Sequence, residues 1–179
     1  MNINLQSTST QKTTEHTKEQ TKEHTKEQTG GRSEQVASCL LEESSVIRAP
    51  IGKIWESIKE FNWEKMCPTT VKSCKFLSGN ALQIGSTYKL VLVDGTSYTF
   101  MIVEISEIKR KYTFEMIDCE PKQKFTSMLS TLKLRKVTED LNTVLIWQTD
   151  YSNDVTQDII SARRQVVKSY FKDFKKFEQ

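Results

Sequence analysis

For some eighty residues, from Val71 to Tyr151, apolar residues recur with a period close to two; the period then lengthens to that of a helix and holds to Phe177. Such a chain has to form a many-stranded sheet followed by one long amphipathic helix. Turn signals at Ser78-Gly79-Asn80, Asp94-Gly95, Ile108 to Lys111 and Glu139 to Asn142 cut the run into strands 71–77, 87–93, 96–105, 111–119, 125–137 and 143–151. Connections this short force antiparallel neighbours. Asp94-Gly95 between two β-rich runs is the clearest hairpin signal.

The closing helix is expected over 154–177, which has no Gly or Pro and follows the capping candidates Ser152, Asn153 and Asp154. Ile159, Arg163, Val166, Val167, Tyr170, Phe171, Phe174 and Phe177 fall near one stripe, which needs the sheet to lie against. Upstream, 36–48 reads as a first strand. Pro50 then opens a short helix carrying Ile51, Ile54, Trp55, Ile58 and Phe61 at spacings of three and four, closed by Trp63 and Pro68. The expected class is α+β, with seven antiparallel strands, a short helical segment after the first strand and a long C-terminal helix.

The first 35 residues differ in kind. All sixteen aromatic residues lie beyond them, and 14–29 reads TEHTKEQTKEHTKEQT, a repeat with no apolar position. This Thr/Lys/Glu/Gln tail is expected to be disordered, with one domain at 36–179. His16 and His24 are the only histidines, and repeat duplication explains their spacing better than metal binding.

A net charge of +3 gives no strong pull toward nucleic acid. No apolar run could span a bilayer and no signal peptide is evident, so a cytoplasmic address is expected. Cys39, Cys67, Cys74 and Cys119 form no CxxC pair and read as reduced thiols acting as small hydrophobes, the alternative being a reactive thiol at Cys74 or Cys119. Phosphate loop, nucleophile elbow and metal-ligand cluster are all missing, and neither a cofactor nor a metal is expected.

Ile47-Arg48-Ala49-Pro50-Ile51-Gly52-Lys53-Ile54-Trp55 resembles the I-x-A-P-x-x-x-V-W opening of the polyketide-cyclase and lachrymatory-factor-synthase-like branch of the START and birch-pollen-allergen (SRPBCC) superfamily. Phe61-Asn62-Trp63, Pro68, Val71, Cys74, Gly79, Gly85, Asp94-Gly95, Phe114, Pro121 and Thr143-x-x-x-Trp147 are similar to that family's successive landmarks, over about residues 40–178. The resemblance implies a helix-grip fold, in which a curved sheet wraps the last helix and encloses a pocket for a small hydrophobic, lipid-like ligand. The scaffold hosts enzymes, carriers and receptors alike.

In the lachrymatory-factor-synthase-like members an Arg and a Glu project into the cavity; the matching positions here are Tyr88 and Phe100. The resemblance therefore implies binding or transport more than catalysis. The alternative is a cofactor-independent cyclase, dehydratase or isomerase using Tyr88, Tyr112 or Glu104 to move a proton. A protein-interaction adaptor is the third class. In the family's frame, period two puts Tyr88, Leu90, Leu92, Phe100, Ile102, Tyr112, Phe114, Met116, Met128, Leu132 and Trp147 on the inner face, joined by Arg163, Val166 and Tyr170 from the helix. These are the candidate ligand contacts; the competing reading is that they fill a solid core.

Arg163 could orient a ligand, though the preferred account is that it snorkels to solvent. Glu104, in register with Phe100 and Ile102, is expected at the open end of its strand. Val91, Val93, Met101 and Val103 are apolar on the outer face, which suggests homo-association.

Overall fold

The structure, a computed structural model, describes residues 38–138 and 141–177. The repeat tail with His16 and His24 lies outside the described residues.

Seven strands form one antiparallel sheet: β1 (Leu40–Ile47), β2 (Val71–Ser78), β3 (Thr87–Leu92), β4 (Ser97–Ser106), β5 (Lys111–Glu120), β6 (Met128–Lys136) and β7 (Thr143–Tyr151), in spatial order β1-β7-β6-β5-β4-β3-β2. Helices α1 (Ile51–Glu60) and α2 (Trp63–Met66) link β1 to β2, and α3 (Gln157–Phe177) ends the chain. Strand β1 thus pairs with β7, the last strand, from Leu40↔Asp150 to Ile47↔Thr143. Among the described residues no helix is long and apolar enough to cross a membrane.

The strands run where the alternation puts them. In β7, Thr143, Leu145, Trp147, Thr149 and Tyr151 are buried while the residues between them are half-buried. The Asp94-Gly95 turn forms as expected: Gly95 takes φ +92°, and the Asp94 carboxylate accepts from the Thr96 N–H at 2.8 Å.

Two register shifts between β4 and β5 bend the sheet, and period two does not foresee them. Tyr98 pairs with Cys119 and Phe100 with Met116, so one residue of β5 is extra; Met116 beside it is half-buried and Cys119 is buried. Further along, Ile102 pairs with Phe114 but Glu104 pairs with Thr113, so the extra residue is Val103. This corrects the expected register of Glu104. It stands opposite Thr113, on the outer face, and accepts from Lys111 Nζ and from Thr113 Oγ1 at 3.4 Å. On that face Val91, Met101 and Val103 are half-buried, and Val93 is 58% exposed.

Helix α1 buries Ile54, Trp55 and Ile58 on one face. The Trp55 indole donates to Glu107 Oε2 at 2.7 Å, and that carboxylate also pairs with Lys59 and Arg110. Phe61 ends α1 in the left-handed region at φ 58°, held there by its N–H bond to Ile58 O and by packing against Tyr88 (ring centroids 4.5 Å) and Phe76 (4.8 Å).

The long helix begins at Gln157, three residues later than expected. The reason is chemical: Ser152 and Asp154 accept hydrogen bonds from Thr126 and Ser127, tying the segment to the loop before β6 instead of capping α3. Helix α3 buries Ile160, Arg163, Val167, Tyr170, Phe171, Asp173 and Phe174; Ile159 and Val166 are half-buried, and Phe177 is exposed. Asp173 accepts from the N–H and Oγ1 of Thr69, which fastens the helix to the segment after α2.

Candidate functional site

The interior enclosed by sheet and helix is almost filled by aromatic rings. Tyr88 and Phe100 have ring centroids 5.4 Å apart, Phe100 and Phe114 5.0 Å, Phe114 and Trp147 6.0 Å, and Trp147 stacks on Tyr170 at 5.0 Å. What remains among Trp63, Tyr88, Leu90, Phe100, Phe114, Trp147, Arg163 and Tyr170 is a void of about 10 Å³. A void of this size holds about one water molecule and no ligand. The enclosed pocket expected from the resemblance is therefore closed by the side chains that were expected to line it.

Open space lies instead at one end of the grip. A cleft of about 360 Å³ opens between the first half of α3 and the sheet, lined by Leu92, Tyr98, Phe125, Met128, Tyr151, Ile159, Ala162, Arg163 and Val166, with Asp94, Thr96, Gln123 and Asp158 also in its wall. Sites for small ligands are commonly of this size and mostly apolar, with a few polar groups that fix orientation. A second depression, of about 440 Å³, is lined by Val46, Arg48, Asn142 and Lys175 and shares no residue with the cleft.

The expected contacts divide accordingly. Leu92, Met128, Arg163 and Val166 line the cleft; Tyr88, Leu90, Phe100, Phe114, Trp147 and Tyr170 surround the small void with Arg163. Ile102, Tyr112 and Leu132 are fully buried in the packed core, and Met116 is half-buried against it. Tyr98, Phe125, Tyr151, Ile159 and Ala162 were missed as contacts. Phe125 is in the loop before β6, where period two carries no information, whereas Tyr98 shares the parity of Phe100 and Ile102 in β4 and was readable as an inner-face residue.

Arg163 joins the two spaces. It is 6% exposed, so it does not snorkel, and the correction has a local cause: its position on α3 turns it toward the sheet between Ile160 and Val167. Its guanidinium carbon lies 5.4 Å from the Trp147 ring centroid and 5.9 Å from those of Tyr98 and Tyr170. A desolvated cation–π contact is worth about 2 kcal/mol, so this cage offsets much of the several kcal/mol needed to take a charge out of water. The N–H donors are another matter. Nε and Nη1 are buried without a hydrogen-bond partner, as are Tyr170 OH and Trp63 Nε1 in the same chamber, and each unmet group costs about 1–3 kcal/mol. Among the described residues no carboxylate pairs with Arg163.

The charge is felt by the surrounding phenols. Burial raises the pKa of Tyr98, Tyr151 and Tyr170, that of Tyr151 to about 12, and Arg163 opposes the rise in all three. Tyr88 and Tyr112 are raised by burial as well, and Tyr112 OH donates to Ala81 O at 3.0 Å. Glu104 is held below its ordinary value, first by its hydrogen bond with Lys111. None of these three candidates for proton transfer is poised to exchange a proton near neutral pH. Burial also pushes the Cys74 thiol up to about 12, away from the thiolate form that a reactive thiol needs. Among the described residues no cluster of His, Cys, Asp and Glu could hold a metal ion.

No family model and no curated protein matches the chain. Solved structures do. A protein from Nitrosospira multiformis is similar over 78% of this chain and 96% of its own, with a TM-score of 0.70 and 22% identity. Ginseng major latex-like protein 151 from Panax ginseng matches with a TM-score of 0.68 and 15% identity, over 78% of this chain and 97% of its own. An uncharacterized protein from Bacillus thuringiensis matches with a TM-score of 0.65 and 19% identity, over 76% and 96%. At such identities the likeness is one of fold, and it agrees with the strand order and the closing helix: this chain has the helix-grip fold of the birch-pollen-allergen-like proteins.

Proposed function

We propose that the protein binds a small hydrophobic, lipid-like ligand in the cleft between the first half of α3 and the β3–β4 hairpin. The observation that carries the reading is the cleft itself: about 360 Å³, walled by Leu92, Tyr98, Phe125, Met128, Ile159 and Val166, and open where the deeper interior is packed shut. Apolar walls supply affinity without geometric demands, while Arg163 on the inner wall sets an orientation. The resemblance to the polyketide-cyclase and lachrymatory-factor-synthase-like branch supports the same ligand class. The aromatic pair Tyr88 and Phe100, at the positions matching that branch's polar pair, supports binding over turnover, since neither the pair nor Glu104 offers a group matched to proton transfer.

Native mass spectrometry of the purified chain tests the reading. A reproducible mass increment of a small molecule, lost when the protein is unfolded and extracted with organic solvent, is the expected result. A chain that carries nothing and takes up no member of a panel of hydrophobic probes contradicts it.

A further inference from the structure

We propose that the ligand of this cleft is a monoanion, an apolar body ending in a carboxylate that docks on Arg163. The inference rests on the reading of the cleft as the ligand site and goes beyond it by fixing the ligand's charge and polarity.

The starting point is a cation more than nine-tenths buried whose Nε and Nη1 donors have no hydrogen-bond partner. The rings of Tyr98, Trp147 and Tyr170 attract it through their π faces but leave the N–H donors of Nε and Nη1 unmet. A carboxylate is the group that matches a guanidinium fork, by two parallel charge-assisted hydrogen bonds. Arg163 also lines the open cleft, so an acid lying there with its apolar tail along Met128, Ile159 and Val166 has its carboxylate end beside the guanidinium.

The cleft limits the charge as well. Its other charged wall residues are Asp94 and Asp158, both exposed, and it contains no second cation. A single negative charge is balanced by Arg163, whereas a dianion such as a phosphate monoester carries one charge that only carboxylates face. Asp94 and Asp158 also disfavour a second acidic group at the mouth.

Titration calorimetry with octanoate, 1-octanol and octyl phosphate at neutral pH separates the possibilities, using the full chain and Arg163→Met. Octanoate is expected to bind wild type about tenfold or more tightly than 1-octanol, a difference of about 1.4 kcal/mol or more. Arg163→Met is expected to lose this preference and bind the two alike; a thermal melt of the variant reports that it is folded. If 1-octanol binds wild type as well as octanoate does, or the preference survives in Arg163→Met, the carboxylate assignment is overturned while the cleft reading stands. Octyl phosphate binding more tightly than octanoate overturns the monoanion. If none of the three binds at millimolar concentration, the cleft reading fails and takes the assignment with it.

Discussion

The Arg163 guanidinium sits 5.4 Å from the Trp147 ring, and the same indole stacks on Tyr170 at an interplanar angle of 18°, so a charge lies against a stacked aromatic pair with its Nε and Nη1 donors unmet. Such an arrangement is unfavourable for the empty protein and favourable once an anion arrives.

The first prediction concerns the empty protein. Arg163→Met keeps the stem and removes the charge, so stability in denaturant should be unchanged or raised by about 1–4 kcal/mol, as when buried charges give way to apolar side chains. A loss of more than about 1 kcal/mol, read from the unfolding midpoint at constant slope, would show that the cage alone satisfies the guanidinium.

Trp55 makes the opposite forecast. It is fully buried and its indole bonds Glu107, so Trp55→Ala should cost about 3–5 kcal/mol. Trp55→Phe keeps most of the volume and should cost less. Equal losses for the two would assign the stability to the hydrogen bond and its ion-pair neighbours instead of the packing.

Much of this fold is legible in the sequence because the sheet is half buried, so alternation and burial coincide along β3 and β7. Where that coincidence breaks, reading stops. The extra residue Val103 turns Glu104 to the outer face, and nothing in a period of two announces a bulge. Arg163 was visible as a polar residue inside an apolar stripe, but a long side chain on a stripe can turn either way, and the cage made by Tyr98 of β4, Trp147 of β7 and Tyr170 of α3 itself fixes its direction. The cleft was legible only in part: Leu92, Met128, Arg163 and Val166 were expected contacts, whereas Phe125, Tyr98 and Ala162 come from a loop, a strand start and a helix, and their meeting depends on how tightly the deeper rings pack.

Acid should reveal the clamp between Asp154 and the loop before β6. Hydrogen bonds from Ser152, then from the side chain and backbone of Thr126, hold the Asp154 carboxylate down from 3.8 to about 2. A depressed pKa contributes stability that is present above the unfolded value and lost as pH falls through the folded one. The melting-temperature gap between wild type and Asp154→Ala should therefore be constant above about pH 4 and close between 4 and 2. A gap that stays open at pH 2 would rule out the carboxylate as its source.

Ala162 allows the cleft to be blocked without disturbing the core. It is exposed on α3 yet lines the cleft, so Ala162→Phe should change stability by less than about 0.5 kcal/mol while weakening hydrophobic probes. Arg48→Glu, in the separate depression, should leave probe affinity unchanged. The reverse pattern in a calorimetric titration would move the site to the other end of the molecule.

The most direct measurement is a methyl NMR titration of the whole chain with 1-octanol, which reports where an apolar ligand sits independently of its charge. The account predicts saturable shifts at Leu92, Met128, Ile159 and Val166, with the Val46 methyls unmoved. Shifts centred on Val46, or no saturable shift at the four cleft residues, would contradict the claim that this cleft binds a hydrophobic ligand.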